Sequence, residues 1–116
     1  MATQQVFILI IEDDRGRREF VLKNESYSVG RDPNCDIYLL RYVSRRHATF
    51  VRQMREDRSL YYQIIDGDLK GKLSVNGLLI NGQKLQAHNL ENEDEIIFGF
   101  GLNAKYYVHN QNLNQP

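Results

Sequence analysis

The chain has 116 residues, enough for one domain around one hydrophobic core and too few for two. Its 15 Lys and Arg are balanced by 15 Asp and Glu, which argues against a general nucleic-acid or membrane-surface binder, since such proteins are normally basic. A lone cysteine, Cys35, excludes an internal disulfide framework and fits a reducing compartment such as the cytosol. The opening residues carry no basic stretch, and the apolar run Val6 to Ile11 is too short for a signal or a spanning segment. A soluble, cytoplasmic, globular protein is therefore expected.

The apolar residues come in short bursts and not in helical stripes. Val6 to Ile11 is a continuous β-branched and aromatic run, read as a strand buried on both faces. Glu12 to Gly16 turns the chain, Arg17 to Leu22 returns, and Asn24-Glu25 turns it again into Tyr27 to Gly30. Asp32-Pro33-Asn34 is a turn cluster, because proline fixes φ and the Asp and Asn side chains bond locally to the backbone. Ile37 to Leu39 forms a short strand, and Arg41 to Arg46 a polar loop. His47 to Gln53 alternates, placing Ala48 and Phe50, with Val51 as a further candidate, toward a core. Arg55 to Ser59 is a hairpin tip and Tyr61 to Ile65 its return. Asp66 to Lys72 reads as a flexible, glycine-punctuated loop. Leu78 to Ile80 lies between two Asn-Gly steps, Asn76-Gly77 and Asn81-Gly82, the strongest short-range signal for tight turns with positive φ. Leu85 and Leu90 bracket a loop. Glu95 to Phe98 and Lys105 to Val108 close the fold. Residues 1–109 read as a single all-β domain, a sandwich of about ten or eleven short strands with turns every 8–12 residues or so. Residues 110–116 read as a polar, frayed tail.

Three motifs carry the chemistry: Gly30-Arg31, Ser44-Arg45-Arg46-His47 and Ser74-Val75-Asn76-Gly77. Each lies at the end of a strand-like run, where a β-fold places its loops. Together they would set a guanidinium, a hydroxyl and a carboxamide on one rim, a combination suited to a phosphate on an extended peptide. A dianionic phosphate favours a fixed cation with several donors, and guanidinium supplies a planar fork. Taken singly, Arg31 reads equally as a surface arginine paired with Asp32 or Asp36, and Ser44 as a turn former. Ser44 and His47 invite an enzymatic reading, but no well-placed carboxylate completes a triad. Cys35, His88 and His109 share no metal-ligand spacing, so no metal or other cofactor is expected. The acidic run Glu91 to Glu95 is read as a solvated loop.

From Ser26 to Val108 the chain resembles a forkhead-associated (FHA) domain. The likeness rests on the three motifs above, on Asn81-Gly82, and on the later pattern Leu90 to Gly99. The resemblance implies a β-sandwich of about eleven strands whose loops at one end bind phosphothreonine in partner proteins without catalysis. It implies that Arg31 contacts the phosphate and Ser44 donates its hydroxyl to it. Arg45 would add a second positive charge, and Asn76 would hold the main chain of the bound peptide. His47 would buttress the binding loop from inside, with Gly30 and Gly77 serving backbone conformation. The implied partner is a phosphothreonine-containing protein or peptide acting downstream of a serine/threonine kinase. A monomer is expected, with no nucleic-acid or membrane partner.

Three positions depart from the family pattern. Val75 stands where threonine is common, keeping the shape and losing a hydroxyl that reaches the phosphate. One hydrogen bond to a charged group is worth about 1.5–3 kcal/mol, so weakened phosphate binding is expected. Glu93 stands where a turn glycine is usual, and the Asp66 to Lys72 loop is stretched. Val75 motivates an alternative: a phosphate-independent scaffold or self-association domain that retains the fold with a degraded site.

Overall fold

The computed structural model describes residues 3–112. Eleven strands run in chain order: β1 (Thr3–Asp13), β2 (Gly16–Leu22), β3 (Ser26–Gly30), β4 (Ile37–Tyr38), β5 (Ala48–Met54), β6 (Leu60–Asp66), β7 (Leu79–Ile80), β8 (Gln83–Lys84), β9 (Ala87–Asn89), β10 (Glu95–Gly99) and β11 (Leu102–Asn112). They form a six-stranded sheet in the order β2-β1-β11-β10-β7-β8 and a five-stranded sheet in the order β4-β3-β5-β6-β9. The expected all-β sandwich is what the chain adopts. β11 extends through Asn112, so Asn110 to Asn112 of the expected tail are paired, and the remainder of that tail lies outside the described residues.

The core lies between the sheets and follows the two-residue period of each strand. Phe7, Leu9 and Ile11 of β1, Ile96 and Phe98 of β10, and Tyr106 of β11 meet Val29, Phe50, Tyr62 and Ile64 of the other sheet. Phe7 and Tyr62 pack edge to face across the gap, ring centroids 5.3 Å apart, an arrangement favoured by the aromatic quadrupole. The Tyr62 hydroxyl donates to the Asn24 carbonyl at 2.7 Å, and burial pushes its pKa up to about 12.

Two sequence expectations need correction. β1 is buried on one face only: Phe7, Leu9 and Ile11 are in the core, while Val6, Ile8 and Ile10 are half-buried on the outer face of the six-stranded sheet. A sandwich covers one face of each sheet, so an apolar run need not mean two buried faces. The segment read as a loop between Leu85 and Leu90 carries β9, with the two-residue β8 just before it, and the chain changes sheets there: β8 pairs with β7, and β9 pairs with β6. Both are short edge strands of polar composition, which leaves no alternating pattern to read.

The acidic run is exposed at Glu91, Asn92, Glu93 and Glu95, as a solvated loop would be, and departs from that reading only at Asp94. Asp94 is buried and accepts hydrogen bonds from Asn81 Nδ2, His88 Nε2 and the Glu91 amide, each at 2.8 Å. It ties β9, the β7–β8 turn and the start of β10 together. Asn81 and Gly82 both have positive φ, as expected for the tight turn of that hairpin.

Candidate functional site

The loops after β3, β4 and β6 converge at one end of the sandwich, and backbone hydrogen bonds fix their order. The Arg31 amide donates to the Ser44 carbonyl at 3.0 Å, and the Asp32 amide to the Arg45 carbonyl at 3.1 Å. These two bonds lay the β3–β4 loop against the β4–β5 loop. Gly30 is required at this contact, since a Cβ there would lie 2.1 Å from the Arg45 carbonyl oxygen.

His47 joins the third loop to the other two. It is fully buried, with its ring perpendicular to that of Phe98 and the centroids 5.9 Å apart. Its Nδ1 accepts the Ser44 amide at 3.0 Å. A backbone N–H can only donate, so the ring proton sits on Nε2, which donates to the Gly77 carbonyl at 2.8 Å. Burial lowers the His47 pKa below its ordinary value of 6.5, against the opposing pull of the Gly77 bond and the Asp66 charge. The imidazole is therefore neutral at pH 7, with both nitrogens committed to backbone, leaving neither free to act as a base toward Ser44.

Ser44 and Val75 close the rim. The Val75 amide donates to Ser44 Oγ at 2.8 Å, which orients the hydroxyl and leaves its own proton available to a ligand. The Val75 side chain is 87% exposed. Below it, Ser74 Oγ accepts the Gly77 amide at 2.9 Å, and the buried Asp66 accepts the Ser74 amide at 3.1 Å. Gly77 has φ +78, and a Cβ there would meet the Lys84 side chain at 2.8 Å. Asn76 is exposed, with no hydrogen bond recorded for its carboxamide among the described residues.

The cations divide into two kinds. Arg31 is exposed, and its Nε donates to the Val43 carbonyl at 3.3 Å. The acids that could have paired with it are engaged elsewhere: Asp36 accepts the Ser28 amide and hydroxyl, and Asp32 meets Arg45 at 3.4 Å and Arg46 at 3.7 Å. Arg31 is thus anchored at one nitrogen and has no carboxylate within ion-pair distance among the described residues. Arg46 is in that ion-paired group, with its side chain 43% exposed.

Arg31, Ser44, Arg45, Val75 and Asn76 thus come from three loops onto one rim, over a support made by Gly30, His47 and Gly77. Sequence reasoning missed the buried Asp66 beneath Ser74. It also missed an aromatic pair beside the rim, Tyr42 and Phe100, with ring centroids 6.4 Å apart and Phe100 88% exposed. Phe100 between Gly99 and Gly101 was a legible signal, because a large apolar residue between two glycines has little to bury it. Tyr42 gave none, and it sits at a positive φ of 69° in the structure.

Residues 27–99 match the model of the FHA domain, and the chain belongs to that family. It is 33% identical over 102 residues to an uncharacterised protein of Synechocystis sp., covering 87% of this chain and 15% of that protein, so it spans a small part of that relative's length. Among solved structures it is similar to the Slr1951 protein of Synechocystis sp., with a TM-score of 0.80 and 42% identity over 91% of this chain and 99% of that one. It is also similar to an FHA domain studied for phosphothreonine-dependent interactions, with a TM-score of 0.71 and 25% identity over 90% of this chain and 97% of that one.

Proposed function

We propose that this domain binds an extended segment of a partner protein through a phosphothreonine. The observation that carries the proposal is the convergence of Arg31, Ser44 and Asn76 on one rim, each with polar groups left to offer a ligand. The phosphate is held by the Arg31 fork and the Ser44 hydroxyl, with Arg45 as a second cation and Asn76 on the peptide main chain. Val75 contributes its shape and its link to Ser44, but no side-chain donor, so affinity is moderate. FHA domains are interaction modules, and the committed His47 ring supports a binding role over catalysis. The lone cysteine fits a reducing, cytoplasmic setting, and a phosphothreonine ligand places the domain downstream of a serine/threonine kinase.

The missing hydroxyl at Val75 favours a second reading, a scaffold that binds partners without phosphate. A library of matched threonine and phosphothreonine peptides separates the two. Binding confined to phosphorylated members supports the proposal. Equal binding of both forms, or none across the library, refutes it.

A further inference from the structure

Asp32 follows Arg31 directly in the chain, yet its carboxylate turns to the other cations of the rim. One oxygen, Oδ2, faces both Arg45 Nη2 at 3.4 Å and Arg46 Nε at 3.7 Å. The other, Oδ1, accepts the Asn34 amide at 3.0 Å and closes the turn. The Asp32 side chain is 14% exposed, whereas those of Arg45 and Arg46 are 68% and 43% exposed. The acid is the fixed partner and the arginines the movable ones. The Asn34 amide, with Arg45 and Arg46 behind it, holds the Asp32 carboxyl below its usual range, so it stays ionised at neutral pH.

We infer that Asp32 is an internal competitor for the phosphate, holding Arg45 in the free domain and lowering the affinity of the rim. The inference rests on the phosphothreonine reading above. Two effects act in the same direction. Arg45 must leave Asp32 before it can reach a phosphate, and the Asp32 charge repels the incoming dianion. Both contacts are long and their arginines solvated, so the effect is modest. Among the described residues Arg31 has no such counter-ion, which makes it the constant cation of the site and Arg45 the adjustable one.

The test titrates the protein with N-acetyl-O-phosphothreonine N-methylamide, a probe free of any sequence preference, followed by amide chemical shifts. Asp32→Asn keeps the Oδ1 acceptor for Asn34, and Asp32→Ser is a second variant that also retains an acceptor. Either variant should bind the probe about two- to fivefold more tightly than the parent. The gain should shrink to the part due to charge repulsion alone when Arg45→Ala is added, a coupling that a merely structural role for Asp32 would not produce. Unchanged or weaker binding by folded variants, or a gain undiminished in the Arg45→Ala background, overturns the inference while leaving the phosphothreonine reading standing. A parent protein that does not bind the probe, in a library that also shows no phospho-dependence, removes both.

Discussion

The hydroxyl of Ser44 accepts the backbone amide of Val75, 31 residues away, at 2.8 Å. This bond joins the β4–β5 loop to the β6–β7 loop and aims a hydroxyl proton outward. Ser44→Ala should remove both the link and the phosphate donor. Phosphothreonine affinity should fall about ten- to a hundredfold, as expected for one hydrogen bond to a charged group. Fold stability should change by less than about 1 kcal/mol, because the exposed Val75 amide is free to bond to water. Peptide titration and urea unfolding measure the two effects separately.

Val75 allows a test in the opposite direction. Val75→Thr restores a hydroxyl on a side chain that is 87% exposed. Threonine nearly matches valine in shape, and its backbone amide still bonds Ser44. The variant should bind phosphothreonine peptides about tenfold more tightly, with unphosphorylated peptides unaffected. Calorimetric titration of both variants with one peptide provides the comparison.

His47 makes stability depend on pH. Its folded pKa is lowered by burial, while the unfolded chain titrates near 6.5. Above that pH both states are neutral and the group contributes no pH dependence. As pH falls below about 6.5 the unfolded chain takes up a proton that the folded domain refuses, so stability drops until the pH reaches the folded pKa. Urea midpoints should therefore decline between about pH 7 and pH 5, and His47→Asn should flatten that part of the profile at the cost of lower stability throughout. A profile unchanged by the substitution would show that other groups set the dependence.

Gly30 is a steric test of how the loops dock. A methyl group at this position would sit 2.1 Å from the Arg45 carbonyl oxygen, which belongs to backbone and has little room to shift. Gly30→Ala should destabilise the domain by about 3 kcal/mol or more and weaken phosphopeptide binding, since the same carbonyl orders the loop carrying Ser44 and Arg45. Thermal unfolding checks the first effect and titration below the unfolding transition the second.

Much of the fold was legible where strands alternate. β5 and β6 place Ala48, Phe50, Tyr62 and Ile64 inward at a two-residue period, and the sequence carries that period openly. β8 and β9 were not legible, because Gln83-Lys84 and Ala87-His88-Asn89 are polar edge strands whose pairing is set by the neighbouring sheet. The rim was legible through its motifs, but the pairing of its charges was not. Asp32, Arg45 and Arg46 are brought together by loop docking, and nothing in their spacing gives that order. Glu93 illustrates the same limit. The sequence marks it as standing where a turn glycine is usual, and it does adopt a positive φ of 71°. There its amide donates to the Tyr106 carbonyl at 2.7 Å, a tertiary bond that offsets the local strain.

Arg31 bears on the central claim most directly, being an exposed cation on the rim without a recorded counter-ion among the described residues. The decisive measurement is a titration of matched threonine and phosphothreonine peptides against the parent protein and Arg31→Ala. The account predicts that the parent binds only the phosphorylated peptide, and that Arg31→Ala remains folded with the preference abolished. An Arg31→Ala protein that still prefers the phosphopeptide, or a parent that binds both peptides equally, would contradict it.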